Sequence, residues 1–119
     1  MPDLSPEAKE RARRTVVVAE VFSANAELIA AAVAEVPDEH LLVAVVDGSH
    51  AFTGTHHVNT ADLVETVPSL EADGGWAMVF SPGADAEHVR RRTAEMASTA
   101  QQRIDTIERI QARQAGTQS

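Results

Sequence analysis

The chain opens with a long segment free of internal helix breakers. Pro6 and Pro37 enclose thirty residues that contain no other proline and no glycine. Ser5 stands at a capping position, Pro6 at the first helical position and Glu7 in the first turn, a pattern that favours a helix start. We therefore predict one long helix over about 5–36. Its later part is apolar on more than one face, so it should lie in the core or against another subunit.

The strongest strand signal follows this helix. Residues 41–46 form a run of apolar, mostly branched side chains that ends in Asp47-Gly48, a typical turn. We predict a central strand here and a second, antiparallel strand over about 51–58. Strict alternation gives one face of the second strand to four residues, Phe52, Gly54, His56 and Val58.

Three further elements are predicted after the hairpin. A short helix over 61–67 should begin at a cap on Asn59 or Thr60 and end at Pro68. Residues 76–80 predict a third strand. Asp85 begins a final helix that continues to about 112, and the tail, 114–119, is expected to fray.

Together these elements predict a single α+β domain over 1–119, in the order α-β-β-α-β-α. The sheet region spans about 40–81 and has three strands, the antiparallel hairpin plus one more. Two long helices, 5–36 and 85–112, cover it. A chain of 119 residues has room for one core. A sheet this narrow has exposed edges, which a second subunit often completes.

Positive charge is confined to the two ends of the sequence. No Lys or Arg occurs between Thr15 and Val89, a span that holds all five histidines and most of the carboxylates. The formal net charge is −8. An acidic body of this kind repels phosphates over most of its surface, so duplex nucleic acid is a poor partner.

Several features bear on the compartment of the protein. There is no cysteine, which excludes disulfides and thiolate metal sites. The apolar stretch 16–34 is interrupted by Glu20, Asn25 and Glu27, which favours a buried helix over a membrane span. Asp3 and Glu7 precede the first basic cluster, unlike an export signal. We expect a cytoplasmic protein that does not associate with membranes.

Self-association is predicted from the apolar stripes of the two long helices. The stripe on the final helix has nearly heptad spacing and should extend past the small sheet, where it needs a partner. A homo-oligomer is therefore expected. The predicted interface consists of Phe22, Ile29, Met96, Ile104, Ile107 and Ile110.

The arginine clusters suggest a second kind of binding. Arg90, Arg91 and Arg92 lie near the start of the final helix, where the helix dipole disfavours cations. A small anionic ligand, such as a nucleotide, would offset the unfavourable interaction between these arginines and the helix dipole. The predicted further contacts are Arg14, His56, His57 and Trp76. The alternative is a set of surface salt bridges to nearby carboxylates, and for Trp76 a place in the core.

The histidines raise the possibility of a metal site or a histidine-dependent enzyme. His50, His56 and His57 lie close in sequence to Asp47, and imidazole with carboxylate can bind zinc. Neighbouring histidines on a strand point to opposite faces, which favours the alternative of an exposed polar hairpin. No catalytic residue is assigned, and the glycines form no phosphate loop or dinucleotide fingerprint.

The run 42–48, the segment 76–82 and the long closing helix together resemble the roadblock domains that assist small GTPases. Those domains have a helix, then a strand that ends in Asp-Gly, and a late strand that leads into a last helix. The stretch between Val58 and Gly75 is too short for two additional strands that the family has.

The sequence therefore predicts a non-enzymatic interaction or regulatory module that self-associates and acts by binding. One alternative is a binder of a small anionic ligand at the arginine clusters. A second is a metal- or histidine-dependent enzyme at the 47–57 loop.

Overall fold

A computed structural model of the chain describes residues 5–71 and 74–118. The elements, in chain order, are α1 (Pro6–Ala24), α2 (Ala26–Ala34), β1 (His40–Val46), β2 (Phe52–Asn59), a 3-10 turn (Thr60–Asp62), α3 (Leu63–Leu70), β3 (Trp76–Phe80) and α4 (Ala86–Gln118). The predicted α+β class and the order α-β-β-α-β-α are confirmed, with the first helix divided in two.

Side-chain caps begin both long helices where the sequence predicts. The Ala8 amide donates to the Ser5 hydroxyl at 3.1 Å, and Pro6 takes the first helical position. The His88 amide donates to the Asp85 carboxylate at 2.8 Å. Each cap satisfies an amide that has no partner within its helix.

The helix predicted over 5–36 is instead two helices that meet at Asn25 and bend by 62°. The side-chain amide of Asn25 donates to the Val21 carbonyl at 2.8 Å, and the backbone amide of Asn25 donates to the Phe22 carbonyl at 3.1 Å. Asparagine side chains compete in this way for helical carbonyls. α1 pairs mainly with α4, and α2 packs against both α4 and β1.

The sheet has the order β2-β1-β3 and is antiparallel throughout. β1 is central, as predicted. An irregularity opposite Val45 and Val46 lets β2 skip one residue, so that Phe52 pairs with Val46 but Gly54 pairs with Val45. Because directly opposed residues share a face, Phe52 lies on the opposite face from His56 and Val58. The predicted strict alternation along β2 is therefore wrong.

Each face of the sheet has its own core. The face that carries Leu42, Ala44 and Phe80 packs against helices α1, α2 and α4. The other face carries Val43, Val45 and Val58 and packs against α3. Completely buried side chains on both sides of β1 explain its unbroken run of apolar residues.

Pro68 lies within α3 and does not end it at Val67. The missing amide would have bonded the carbonyl of Val64. Both Val64 and Pro68 are exposed. The helix then closes on a bond from the Glu71 amide to the Val67 carbonyl at 3.1 Å.

α1 and α4 form an antiparallel pair that lengthens the molecule to 61 Å. The Glu108 carboxylate forms salt bridges with Lys9 at 3.2 Å and with Arg13 at 3.8 Å. These contacts align the start of α1 with the late part of α4. Buried Ala12 and Ala100 allow close approach of the helices. α4 continues to Gln118, past the predicted end at about 112, since only Gly116 weakens it.

Among the described residues, no single helix is both long enough and apolar enough to cross a membrane. α1 and α2 meet that criterion only when taken together, as a bent pair.

Candidate functional site

The residues predicted as an oligomer interface pack within a single chain. Phe22 and Ile29 are buried against the sheet, and Ile104 and Ile107 are 6% and 2% exposed. Met96 and Ile110 are half-buried. The sequence shows that one face of α4 is apolar, but α1 covers that face within the same chain. The stripe does not need a second subunit.

The three consecutive arginines of α4 point in different directions and do not form one patch. Arg90 donates to Glu27 of α2 at 2.6 Å, whereas Arg91 contacts His88. Arg92 donates to the Val79 carbonyl at 2.6 Å and lies 4.9 Å from the centre of the Phe80 ring. Successive helical residues are separated by about 100°, which explains the divergence.

Arg14 and Trp76, both predicted ligand contacts, lie together. The Arg14 guanidinium is 5.0 Å from the centre of the Trp76 indole, which is half-buried against the helix-covered core. The His50 ring also contacts the Trp76 indole, and the two ring centroids are 6.4 Å apart. Its Nε2 is buried without a hydrogen-bond partner among the described residues. Trp76 thus has both a core role and a cationic neighbour.

The histidines predicted as metal ligands do not converge. His56 and His57 are both exposed and lie on opposite faces of β2. His50 lies with Trp76 instead. In the described residues, no group of three or more His, Asp or Glu side chains is arranged to hold a metal ion.

Asp47 organises the turn between β1 and β2. Its Oδ1 accepts from the Ser49 amide at 2.9 Å and from the Ala51 amide at 3.0 Å. The bond from Ala51 is the largest reason that the pKa of Asp47 lies below its ordinary value of 3.8, and the Ser49 amide adds to the effect. His50 completes the turn in a left-handed conformation, with φ 66°. The carboxylate therefore has a structural role.

Among the described residues, an open groove lies between α1 and α4. One section of about 360 Å³ is lined by Arg11, Arg92 and Arg103. The adjoining section of about 500 Å³ shares Arg11, Thr99 and Arg103 and adds Thr106. We call this continuous surface the arginine groove.

The helical repeat explains why these side chains share one surface. Thr99 and Arg103 follow Arg92 by seven and eleven residues, which places all three on nearly the same side of α4. The spacing separates the two arginines by about 16 Å along the axis. Arg11 comes from the opposite wall, on the flank of α1 turned away from Lys9 and Arg13.

The electrostatics of the arginine groove are unusual for an acidic protein. Within 5–71 and 74–118, neither Arg11 nor Arg103 forms an ion pair with a carboxylate. Glu95 is the acidic side chain in the lining, at the Arg92 end. Arg11 and Arg103 thus line a shallow surface that has one carboxylate, Arg92 lies at one end of it, and Thr99 and Thr106 offer hydroxyl donors.

Sequence reasoning assigned Arg92 to ligand binding but did not join it with Arg11 and Arg103 in one site. These two are 92 positions apart, and only the antiparallel pairing of α1 with α4 brings them together. A signal for the α4 wall was nevertheless present, because Arg92, Thr99, Arg103 and Thr106 form a polar stripe at helical spacing.

No known protein family, no curated protein and no solved structure matches this chain.

Proposed function

We propose that this protein is a non-enzymatic binding module that holds an extended anionic ligand in the arginine groove. The observation that carries the proposal is the convergence of Arg11 and Arg103 from two helices, with neither guanidinium paired to a described carboxylate. An interaction module that acts by binding is also what the sequence predicts. The binding residues differ from the predicted ones, except for Arg92.

The chemistry of the lining favours a ligand with at least two negatively charged groups. Like-charged guanidinium groups in one groove repel each other, and an anion between them replaces repulsion with charge-assisted hydrogen bonds. The separation of about 16 Å between Arg92 and Arg103 along α4 suits an elongated ligand such as a phosphate ester with a second anionic group. Thr99 and Thr106 can donate further hydrogen bonds to its oxygens.

The surrounding charge supports selectivity for a small ligand. A long polyanion would extend beyond the groove and meet the acidic body of the protein, which carries most of the negative charge behind the net value of −8. A compact anion contacts only the groove. Because the groove is open, its attraction for anions should be screened by salt.

Inorganic tripolyphosphate is a suitable probe, with titration calorimetry at low ionic strength as the assay. The wild-type chain should bind one equivalent, and added salt should weaken the binding. Arg11→Gln and Arg103→Gln should each weaken it about tenfold, as expected for the loss of one charge-assisted contact.

Arg109→Gln is the matched control, because it removes the same charge from an exposed position on another face of α4. Its affinity should stay within about twofold of wild type. Equal losses in all three variants would show that only net charge matters. No binding by the wild-type chain would refute the proposal.

A further inference from the structure

The hydrogen-bonding pattern of β1 determines which strand edges are open. The Asp47 amide donates to the Ala51 carbonyl, and the Thr60 amide donates to the Glu39 carbonyl. Both bonds join an odd-numbered residue on the β1 side to the β2 side. The backbone amide and carbonyl of successive residues point alternately to the two sides of a strand. Leu41, Val43 and Val45 therefore bond β2, and the even-numbered residues bond β3.

The same alternation identifies the backbone groups that point outward. On β3, the partners of odd-numbered β1 residues are Ala77 and Val79, so their amides and carbonyls face away from the sheet. In the regular part of β2, the outward groups belong to Thr55, His57 and Asn59, whose β1 partners are Ala44, Leu42 and His40.

The outer edge of β3 is obstructed. The Arg92 guanidinium donates a hydrogen bond to the outward carbonyl of Val79 at 2.6 Å and lies over the Phe80 ring. A charged side chain placed on an edge in this way hinders pairing with another strand. β3 is also short, with five residues.

The outer edge of β2 is open by contrast. In the described part of the chain, nothing hydrogen-bonds the outward amides and carbonyls of Thr55 and His57. β2 contains eight residues without a proline, and none is Asp, Glu, Lys or Arg. It therefore lacks the charged residues that usually protect an edge, and its irregularity lies at one end.

We propose that a second copy of this chain pairs with β2 in antiparallel orientation, so that two three-stranded sheets become one of six strands. The two-fold axis passes through His56. Thr55 then exchanges backbone hydrogen bonds with His57 of the partner subunit, and His57 does so with Thr55 of the partner subunit. His56 faces His56 of the partner subunit as a close, non-hydrogen-bonded pair.

Three features favour a second copy over a foreign strand. An axis at His56 is central in the open edge, so it uses the outward groups of Thr55 and His57 in each copy. The edges are uncharged, so two copies of an acidic protein meet there without a like-charge pair. Each chain has one open edge and one obstructed edge, so pairing stops at a dimer and does not continue into a fibre.

This inference is independent of the proposed ligand site. The arginine groove lies between α1 and α4, whereas the pairing edge belongs to β2. The predicted self-association is thus retained, but through a sheet edge and not through the helix stripe.

Cysteine cross-linking tests the register directly, because the natural chain has no cysteine. In His56→Cys, the two Cα atoms would lie about 4.5 Å apart across the axis, within disulfide range. In the control His57→Cys, the equivalent atoms are diagonal neighbours at about 8 Å, which is too far. Mild oxidation should give a covalent dimer of the first variant and leave the second uncross-linked.

Light scattering of the wild-type chain should give twice the mass of 12.7 kDa. His57→Pro removes an outward amide but no bond to β1, so it should give a folded monomer. Should that variant fail to fold, His56→Lys replaces an exposed side chain and should dissociate the dimer by repulsion across the axis. A monomeric wild type, a dimeric His56→Lys, or equal cross-linking of both cysteine variants would overturn the inference.

Discussion

Truncation of Ile104 tests whether the apolar stripe of α4 stabilises a single chain. Ile104 is 6% exposed and packs with Ala12, Ala100 and Val16 between α1 and α4. Ile104→Ala removes three carbon atoms, each worth about 0.8 kcal/mol on transfer from water, or about 2.5 kcal/mol in all. The alanines around it are too small to fill the space, so a cavity term should raise the loss to about 3 kcal/mol.

A loss of this size is a large fraction of the stability of a small domain, about 5–15 kcal/mol. At about 4 °C per kcal/mol, Tm should fall by about 12 °C. Urea unfolding followed by circular dichroism should give the free-energy difference at two well-separated protein concentrations. The difference should be the same at both, because the contact lies within one chain.

Val64→Ala is the control, since Val64 is 84% exposed on α3. It should change the free energy of unfolding by less than about 0.5 kcal/mol. If Ile104→Ala behaves like this control, the stripe does not stabilise the chain. If its effect depends on protein concentration, the stripe packs between chains, and the intramolecular account is wrong.

Two further substitutions test the polar contacts. Asp47→Ala should lower the urea midpoint at neutral pH, because the carboxylate organises the hairpin turn. Since the pKa of Asp47 is lowered on folding, its charged form stabilises the native state above pH 3.8, and this advantage is lost as the pH falls through the folded-state pKa. The gap between wild type and variant should therefore narrow in acid, and a gap that widens there would contradict this role. Arg90→Ala should cost at most about 1 kcal/mol, because the Arg90 and Glu27 side chains are 50% and 82% exposed; a larger loss by urea unfolding would show that this ion pair is not a simple surface contact.

Local patterns predicted much of the fold. The caps at Ser5 and Asp85 and the turn at Asp47 depend on neighbouring residues, which the sequence displays directly. The pattern did not indicate the break at Asn25, because asparagine is tolerated in helices. The predicted helix end at Pro68 is wrong, because α3 continues through this residue on its exposed side.

The candidate site was harder to predict for a different reason. Arg11 and Arg103 are ordinary surface residues until α1 and α4 pair, and nothing local connects them. The adjacent arginines 90–92 looked like one cluster, but the helical repeat separates them. Proximity in sequence was thus a poor guide to proximity in space.

By itself, the sequence determined the element types, their order and the apolar face of α4, because these follow from backbone propensities and from the periodicity of neighbouring residues. The tertiary structure alone decided what covers each face. It placed α1 on the stripe of α4, created the arginine groove between them, and put Arg92 on the edge of β3 while β2 stayed open. Periodicity identifies a surface that must be buried, but the partner is chosen by contacts between residues far apart in the chain.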